Sequence, residues 1–207
     1  MKNRNRILIA SAVIFFLLLI DAFSIYGLQA LDQTALDYMT SLGSESTNEI
    51  MIQITNLSGK IAILIFSVSL VIILSALKKW DALSFSMMSL VGCIFFSLFF
   101  KSIVGRLRPT TKLFDPGEYS FPSGHAAMAM CMALIMYYLI KTSLINRIYK
   151  VFLLFVMLFP LLISFTRVYL HVHYLSDVIG GMSLSLVWVL LMSNIYLPNE
   201  LSKTRQV

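Results

Sequence analysis

The chain has 207 residues, of which 58% are hydrophobic and only 13% are charged. Soluble domains carry about 25% charged residues, so this composition excludes an ordinary water-soluble globule. It predicts a single domain, residues 1–207, with the lipid bilayer as its solvent. The net charge of +6 is typical of basic cytoplasmic rims, and we do not interpret it as nucleic-acid binding.

Six apolar stretches predict membrane-spanning helices, at residues 7–28, 61–77, 82–100, 123–140, 151–167 and 175–197. Each is close to the ~17–25 residues that a helix needs to cross a bilayer. The first stretch is too long for a signal peptide and has no cleavage pattern, so we interpret it as a retained anchor. The predicted fold class is therefore all-α, a bundle of six transmembrane helices.

The basic residues predict the orientation of this bundle. With the N-terminus inside, the cytoplasmic segments contain Lys2, Arg4, Arg6, Lys78, Lys79, Lys141, Arg147, Lys150, Lys203 and Arg205. The outer segments contain Lys60, Lys101, Arg106, Arg108, Lys112 and Arg167. This bias agrees with the positive-inside rule and predicts a multi-pass cell-membrane protein with both termini in the cytoplasm.

The long first outer segment, about residues 29–60, allows two interpretations. Leu31, Ala35, Tyr38 and Met39 can share one face of a helix, with Asp32, Gln33 and Asp37 turned away. Such a helix could lie in the membrane interface and shape lipid entry. An ordinary solvated loop with some helix is the other interpretation.

Three polar clusters lie at the outer ends of the predicted helices. They contain Lys101 and Arg108 after the third span, Ser123, Gly124 and His125 at the start of the fourth, and Arg167, His173 and Asp177 between the fifth and sixth. Ionisable residues near membrane depth are energetically unfavourable and by default indicate function. Their meeting at one interface predicts an extracytoplasmic active site.

The second cluster predicts an anion site. Ser123 is a suitable N-cap, and Gly124 lets a ligand approach the backbone closely. The free N–H groups of the helix that follows suit a phosphate. The side chains of Lys101, Arg108 and Arg167 can surround the same anion and stabilise charge developing on phosphorus.

The two histidines of these clusters, His125 and His173, predict phosphoryl transfer. His173 and Asp177 are four residues apart and share one face of a helix. The carboxylate can fix the imidazole tautomer and leave the other ring nitrogen free to attack phosphorus. His125 can then protonate the leaving group as general acid.

We expect no metal and no other cofactor, because no cluster of ligands has the spacing of a metal site. Cys93 and Cys131 both lie inside apolar runs and are interpreted as packing residues. We interpret His171, which lacks a carboxylate four residues on, as an ordinary interfacial histidine. We interpret Arg106 as a neighbour of the motif or a rim charge.

The three clusters together resemble the signature motifs of the type-2 phosphatidic acid phosphatase superfamily. The matching residues are Lys101-x6-Arg108-Pro109, Pro122-Ser123-Gly124-His125 and Arg167-x5-His173-x3-Asp177. The resemblance implies a phosphohistidine intermediate on His173, supported by Asp177, with His125 as the acid. It also implies phosphate binding by Lys101, Arg108, Ser123, Gly124 and Arg167. The third motif usually begins Ser-Arg, and this chain has Thr166 there, which keeps the hydroxyl.

The resemblance implies a metal-independent membrane lipid phosphate phosphatase whose partners are its lipid phosphate substrate and the surrounding lipids, with no nucleic acid or obligate protein partner. The compact chain is similar to bacterial members that act on phosphatidylglycerophosphate or undecaprenyl diphosphate. We favour phosphatidylglycerophosphate, with phosphatidic acid as a secondary substrate and undecaprenyl diphosphate as the alternative. A phospholipid transporter or flippase is the alternative of a different class, but its polar residues would lie near the bilayer midplane. A vanadate-dependent oxidation is disfavoured by the membrane setting.

Overall fold

The computed structural model describes residues 2–23, 28–114, 117–141 and 147–197. Eight α-helices contain most of these residues: α1 (Lys2–Phe23), α2 (Gln29–Leu42), α3 (Glu45–Asn56), α4 (Lys60–Ala76), α5 (Trp80–Val104), α6 (Gly124–Lys141), α7 (Arg147–Tyr169) and α8 (Leu175–Tyr196). An isolated antiparallel bridge between Leu107 and Tyr119 closes the loop from α5 to α6.

Six of the helices are the apolar ones predicted from the sequence. By length and composition, five stretches can cross a membrane: Arg4–Phe23, Glu45–Ala76 (which includes α3 and α4), Trp80–Val104, Val151–Tyr169 and Leu175–Tyr196. The sixth, Gly124–Ile140, is a shorter apolar helix. The prediction of an all-α membrane bundle is confirmed. The end of the predicted first span, residues 24–27, lies outside the described residues.

The packing of α8 against α6 brings together the polar residues at the starts of these two helices. This helix contacts α1, α5 and α6 in the middle of the bundle. A Cβ atom on Gly181 would lie 2.4 Å from the carbonyl oxygen of Ser123, so only glycine permits this approach. One turn further along, Ser185 Oγ donates to the carbonyl of Ala127 at 2.6 Å. The start of α6 therefore lies directly against the first turns of α8.

The loop that enters α6 is packed as tightly. Phe121 is fully buried, and its ring lies 2.5 Å from where a Cβ on Gly180 would be. The bond from Phe121 to Pro122 is cis. The ring also stacks on Phe15 of α1, with centroids 6.2 Å apart. These contacts hold the Pro-Ser-Gly-His segment against both α1 and α8.

The segment between α1 and α4 folds into two helices, and Asp32 of α2 lies on the opposite side of its helix from Leu31 and Tyr38. Asp32 is 1% exposed, whereas Leu31 is 51% and Tyr38 61% exposed. Asp32 faces inward because an arginine and a serine of the site donate hydrogen bonds to its carboxylate. A buried carboxylate with several donors is stable.

Some residues that support the predicted orientation are not covered by the structure. Lys203 and Arg205 lie outside the described residues, as do the side chains of Lys2, Lys141, Arg147 and Lys150.

Candidate active site

The centre of the candidate site is the pair formed by His173 and Asp177. His173 lies in the short connection between α7 and α8, and Asp177 lies in the first turn of α8. Both are buried, and His173 Nδ1 is 3.4 Å from Asp177 Oδ2. The same carboxylate oxygen accepts a hydrogen bond from the backbone N–H of Tyr174 at 2.9 Å. The predicted contact between the two side chains is therefore present.

The contacts of His173 indicate which tautomer it adopts. Nη1 of Arg108 lies 3.1 Å from His173 Nε2. A guanidinium can only donate, so Nε2 must be the accepting nitrogen, and the ring proton is then on Nδ1, facing Asp177. This is the tautomer that leaves the lone pair of Nε2 directed into the site, as a nucleophile requires.

Positive charge surrounds this imidazole. Burial lowers the pKa of His173 well below its usual 6.5, and the charges of Arg167, Arg108 and Lys101 lower it further. A charge on His125 acts in the same direction. Since these effects require proximity, the residues of all three sequence motifs converge on His173. The imidazole is neutral at physiological pH.

The loops hold two of the three cations by backbone carbonyl groups. Lys101, in the last turn of α5, donates to the carbonyl groups of Tyr119 and Ser120 at 2.7 and 3.2 Å. Arg108 donates from Nε to the carbonyl of Gly117 at 2.8 Å, and from Nη1 to that of Val172. Both charges are thereby directed to the same end of the bundle as His173.

Next to His173 and Asp177, two buried polar atoms find no hydrogen-bond partner among the residues the structure describes. They are Ser123 Oγ, just before α6, and Arg167 Nε, near the end of α7. Ser123 is fully buried and Arg167 is 1% exposed. Their backbones adjoin the pair of His173 and Asp177, since Ser123 N donates to the Asp177 carbonyl at 3.0 Å and His173 N to the Arg167 carbonyl at 3.3 Å. Buried donors without an acceptor are energetically unfavourable, and a bound anion would supply the missing acceptors.

The start of α6 fits the same anion. Helix α6 begins at Gly124, as predicted, so Ser123 occupies the N-cap position. Nothing lies within 4 Å of where a Cβ on Gly124 would be, which leaves open space against the backbone. His125 follows in the first turn and is partly exposed. Helix N-termini of this kind favour phosphate groups.

Arg106 is a member of the site that the sequence analysis placed at the rim. Its Nη1 donates to Asp177 Oδ1 at 2.8 Å and to Ser176 Oγ at 2.7 Å, and its Nη2 donates to Asp32 Oδ2 at 2.7 Å. Its guanidinium also lies 4.3 Å from the ring centroid of Tyr174. Burial alone lowers the pKa of Arg106, but the carboxylates of Asp177 and Asp32 raise it overall. The one available signal was its place inside the first motif, two residues before Arg108.

His171 contacts threonine hydroxyls and not the residues around His173. Its ring is 6% exposed, and its Nδ1 and Nε2 lie 2.7 and 3.4 Å from the hydroxyls of Thr111 and Thr40. Its backbone has a positive φ of 56°. These contacts join α2 to the loop after α5, so both ring nitrogens are occupied away from His173.

A bundle of apolar helices with a polar, cation-lined site at one end is characteristic of an integral membrane enzyme that acts on a phosphate group. The family model described as "PAP2 superfamily" matches residues 82–200, and the chain belongs to this family. It is a membrane lipid phosphatase.

Known proteins similar to this chain agree with the assignment. Phosphatidylglycerophosphatase B of Bacillus subtilis (strain 168) is 30% identical over 186 residues, which cover 86% of this chain and 89% of that protein. The crystal structure of a transmembrane PAP2-type phosphatidylglycerolphosphate phosphatase from Bacillus subtilis aligns with a TM-score of 0.76 at 26% identity, covering 89% of this chain and 94% of that one. LpxE of Aquifex aeolicus aligns with a TM-score of 0.63 at 19% identity, covering 79% and 95%, which shows the shared fold.

Proposed function

We propose that this lipid phosphatase hydrolyses the terminal phosphomonoester of phosphatidylglycerophosphate, with phosphatidic acid as a secondary substrate. The main observation that supports a phosphate site is that two buried donors, Ser123 Oγ and Arg167 Nε, have no partner within the described part of the chain. The choice of lipid is supported by the Bacillus subtilis relative, whose name specifies phosphatidylglycerophosphate and which matches along 86% of this chain.

The phosphate would be held by groups from three helices and their loops. Ser123, the backbone at Gly124, and the side chains of Lys101, Arg108 and Arg167 supply hydrogen-bond donors and positive charge. Arginine can donate to two phosphate oxygens at once, whereas lysine acts as a point charge. Their positive charge would stabilise the negative charge that builds up on the equatorial oxygens during transfer.

The first chemical step forms a bond from His173 Nε2 to phosphorus and breaks the bond from phosphorus to the lipid oxygen. Asp177 holds the Nδ1 proton and stabilises the positive charge on the imidazole. His125 gives its proton to the leaving alkoxide. Binding of the anionic phosphate among the three cations favours the protonated form of His125 that this step needs.

The second step releases the phosphate. Water attacks phosphorus, the bond to Nε2 breaks, and His125 takes the proton of the water. Inorganic phosphate leaves and His173 is regenerated. All charge stabilisation in this scheme comes from side chains and backbone N–H groups, so the proposed reaction is independent of metal.

Three further proposals concern the whole chain. Residues 1–207 form one membrane domain, the active site faces the extracytoplasmic side, and both termini are cytoplasmic. The orientation is supported by the excess of basic residues in the opposite set of loops, including Lys78 and Lys79 between α4 and α5. Topology reporters fused after α4 and at the C-terminus should give cytoplasmic signals, and an extracytoplasmic signal from either would overturn it.

The substrate is tested by phosphate release from purified protein in mixed micelles. Phosphatidylglycerophosphate should give the highest kcat/KM, followed by phosphatidic acid, and undecaprenyl diphosphate should be the poorest. A preference for undecaprenyl diphosphate would overturn the proposed substrate while leaving the phosphatase reaction in place. Binding of these lipids without phosphate release would instead support a transporter or flippase.

A further inference from the structure

Arg106 lies between two buried carboxylates that come from distant parts of the chain. Asp177 belongs to α8 and is fully buried, and Asp32 belongs to α2 and is 1% exposed. The two ion pairs measure 2.8 and 2.7 Å. Because a buried carboxylate without donors is strongly disfavoured, the contacts with Arg106 stabilise both groups.

The contacts of Asp177 divide its two oxygens between two tasks. Oδ1 accepts from Arg106, and Oδ2 accepts from the backbone of Tyr174 and faces His173 Nδ1. With Oδ1 held by the guanidinium, the carboxylate plane is restrained and Oδ2 stays directed at the imidazole. Removing Arg106 frees Asp177 to rotate or to take up a proton, and either change weakens the orientation of His173.

Asp32 restrains Arg106 from the other side. Its Oδ1 accepts from Ser176 N at 2.9 Å and its Oδ2 accepts from Ser176 Oγ at 2.6 Å as well as from Arg106. The Tyr174 ring covers the guanidinium at 4.3 Å. Helix α2 is thereby joined through one carboxylate to Arg106 and to Ser176, the residue before Asp177.

We propose that Arg106 and Asp32 form a positioning pair, in which Asp32 holds Arg106 and Arg106 holds Asp177, so that α2 sets the orientation of His173. This inference rests on the proposed role of His173 as nucleophile. Arg106 differs from the phosphate-binding arginines because three of its hydrogen bonds go to Asp32, Ser176 and Asp177. Its effect on the reaction is therefore transmitted through Asp177.

The test is steady-state kinetics on purified Arg106→Gln, Arg106→Lys and Asp32→Asn proteins, with activities normalised to the monodisperse fraction. Arg106→Gln should lower kcat by about 10- to 100-fold, while KM and the inhibition constant of inorganic phosphate stay within about threefold. Arg106→Lys keeps a charge near Asp177 and should recover part of the loss. Asp32→Asn should lower kcat by about three- to tenfold, and by much less in an Arg106→Gln background, because Asp32 acts through Arg106.

Chemical rescue of kcat by added guanidinium is a second test, and no rescue is expected if Arg106 has only a structural role. Arg106 and Asp32 line a cavity of about 290 Å³ together with Gln29 and Gln33. In Arg106→Ala, millimolar guanidinium should enter this space and raise kcat. The same additive should leave His173→Ala inactive.

The matched control is Asp37→Asn on the same helix, whose carboxylate accepts from Gln33 at the surface. It should retain wild-type kinetics. Asp32→Asn is nearly isosteric and keeps an acceptor for Ser176, so it tests the proposal even if Arg106→Gln is unstable. Wild-type kcat in folded Asp32→Asn, or a loss confined to KM and phosphate affinity in the Arg106 variants, would overturn the positioning pair.

His173→Ala separates this inference from the proposed function. If His173→Ala retains turnover, the proposed mechanism fails, and the pair fails with it. If His173→Ala is inactive and Asp32→Asn equals wild type, only the positioning pair fails.

Discussion

Arg108 donates to the side of the His173 ring that faces away from Asp177, with Nη1 3.1 Å from Nε2. The proposed nucleophilic atom is therefore in contact with a cation that we also propose as a ligand of the phosphate. In that proposal, the Arg108 guanidinium exchanges this contact for phosphate oxygens when substrate binds, and the lone pair of Nε2 then becomes available for attack.

Arg108→Lys should lower kcat by about 100-fold, because a lysine keeps the charge but loses the forked donation to phosphate oxygens. Steady-state phosphate release in mixed micelles measures this. Lys112→Gln, an exposed charge change in the same loop, is the control and should behave as wild type. Equal kinetics for Arg108→Lys and wild type would show that forked donation by Arg108 is unimportant.

His173→Ala should lower kcat by about 10⁴-fold or more, because the nucleophile is lost. A phosphoenzyme trapped by acid-free quenching of the wild type should be absent from this variant. Substantial residual turnover would contradict the assignment of the nucleophile.

His171→Ala should keep kcat within about threefold of wild type, because its ring is bonded to Thr40 and Thr111 instead of to the reacting groups. It should instead destabilise the fold by about 1–3 kcal/mol, since the two side-chain hydrogen bonds of the buried His171 ring are lost. Thermal unfolding in detergent measures the stability. An inactive but fully folded protein would mean that the wrong histidine has been assigned.

The free enzyme should keep His173 neutral well below pH 6.5, because burial and then Arg167, Arg108 and Lys101 lower its pKa. Its usual value of about 6.5 applies in the unfolded chain. The unfolded state therefore binds the proton more readily, so this group's contribution to stability is complete above about pH 6.5 and declines as the pH falls towards the folded value. Histidine NMR titration, assigned with His173→Gln, should show one ring that titrates anomalously low. Added inorganic phosphate should raise that midpoint, and a midpoint near 6.5 without phosphate would contradict the burial of this imidazole.

Activity should survive removal of divalent metals by EDTA, because Lys101, Arg108 and Arg167 supply the positive charge that a metal would otherwise provide. Phosphate release before and after dialysis against EDTA measures this. A loss that Mg²⁺ or Mn²⁺ restores would overturn the metal-independent mechanism.

Gly181→Ala should lower both stability and activity, because the new Cβ would lie 2.4 Å from the Ser123 carbonyl and push α6 from α8. Overpacking of this kind destabilises by about 1–3 kcal/mol. Gly43→Ala is the matched control, since its Cβ would make an ordinary 3.4 Å contact with the Thr40 carbonyl. Wild-type activity in Gly181→Ala would show that the approach of the two helices is not needed for the site.

Part of the fold was predictable because it follows from composition and local pattern. Long apolar runs with few charges define the membrane helices, and a Pro-Ser-Gly segment before such a run indicates a helix start. The contact between His173 and Asp177 was predicted from a four-residue helical spacing. His173 lies before the start of α8 at Leu175, however, so the contact forms across the beginning of the helix and not along one of its faces. The burial of Asp32 could not be predicted in this way, because its carboxylate contacts partners 74 and 144 residues away along the chain.

The sequence by itself determined the six apolar helices, the motifs at their ends and the membership of a phosphatase family, because these depend on residue type and short-range spacing. Only the tertiary structure decided that Arg106 is held between Asp32 and Asp177, and that Ser123 and Arg167 keep buried polar atoms without partners in the described residues. The physical reason is that burial and ion pairing depend on which distant groups come together. For Asp32, those distant groups are Arg106 and Ser176.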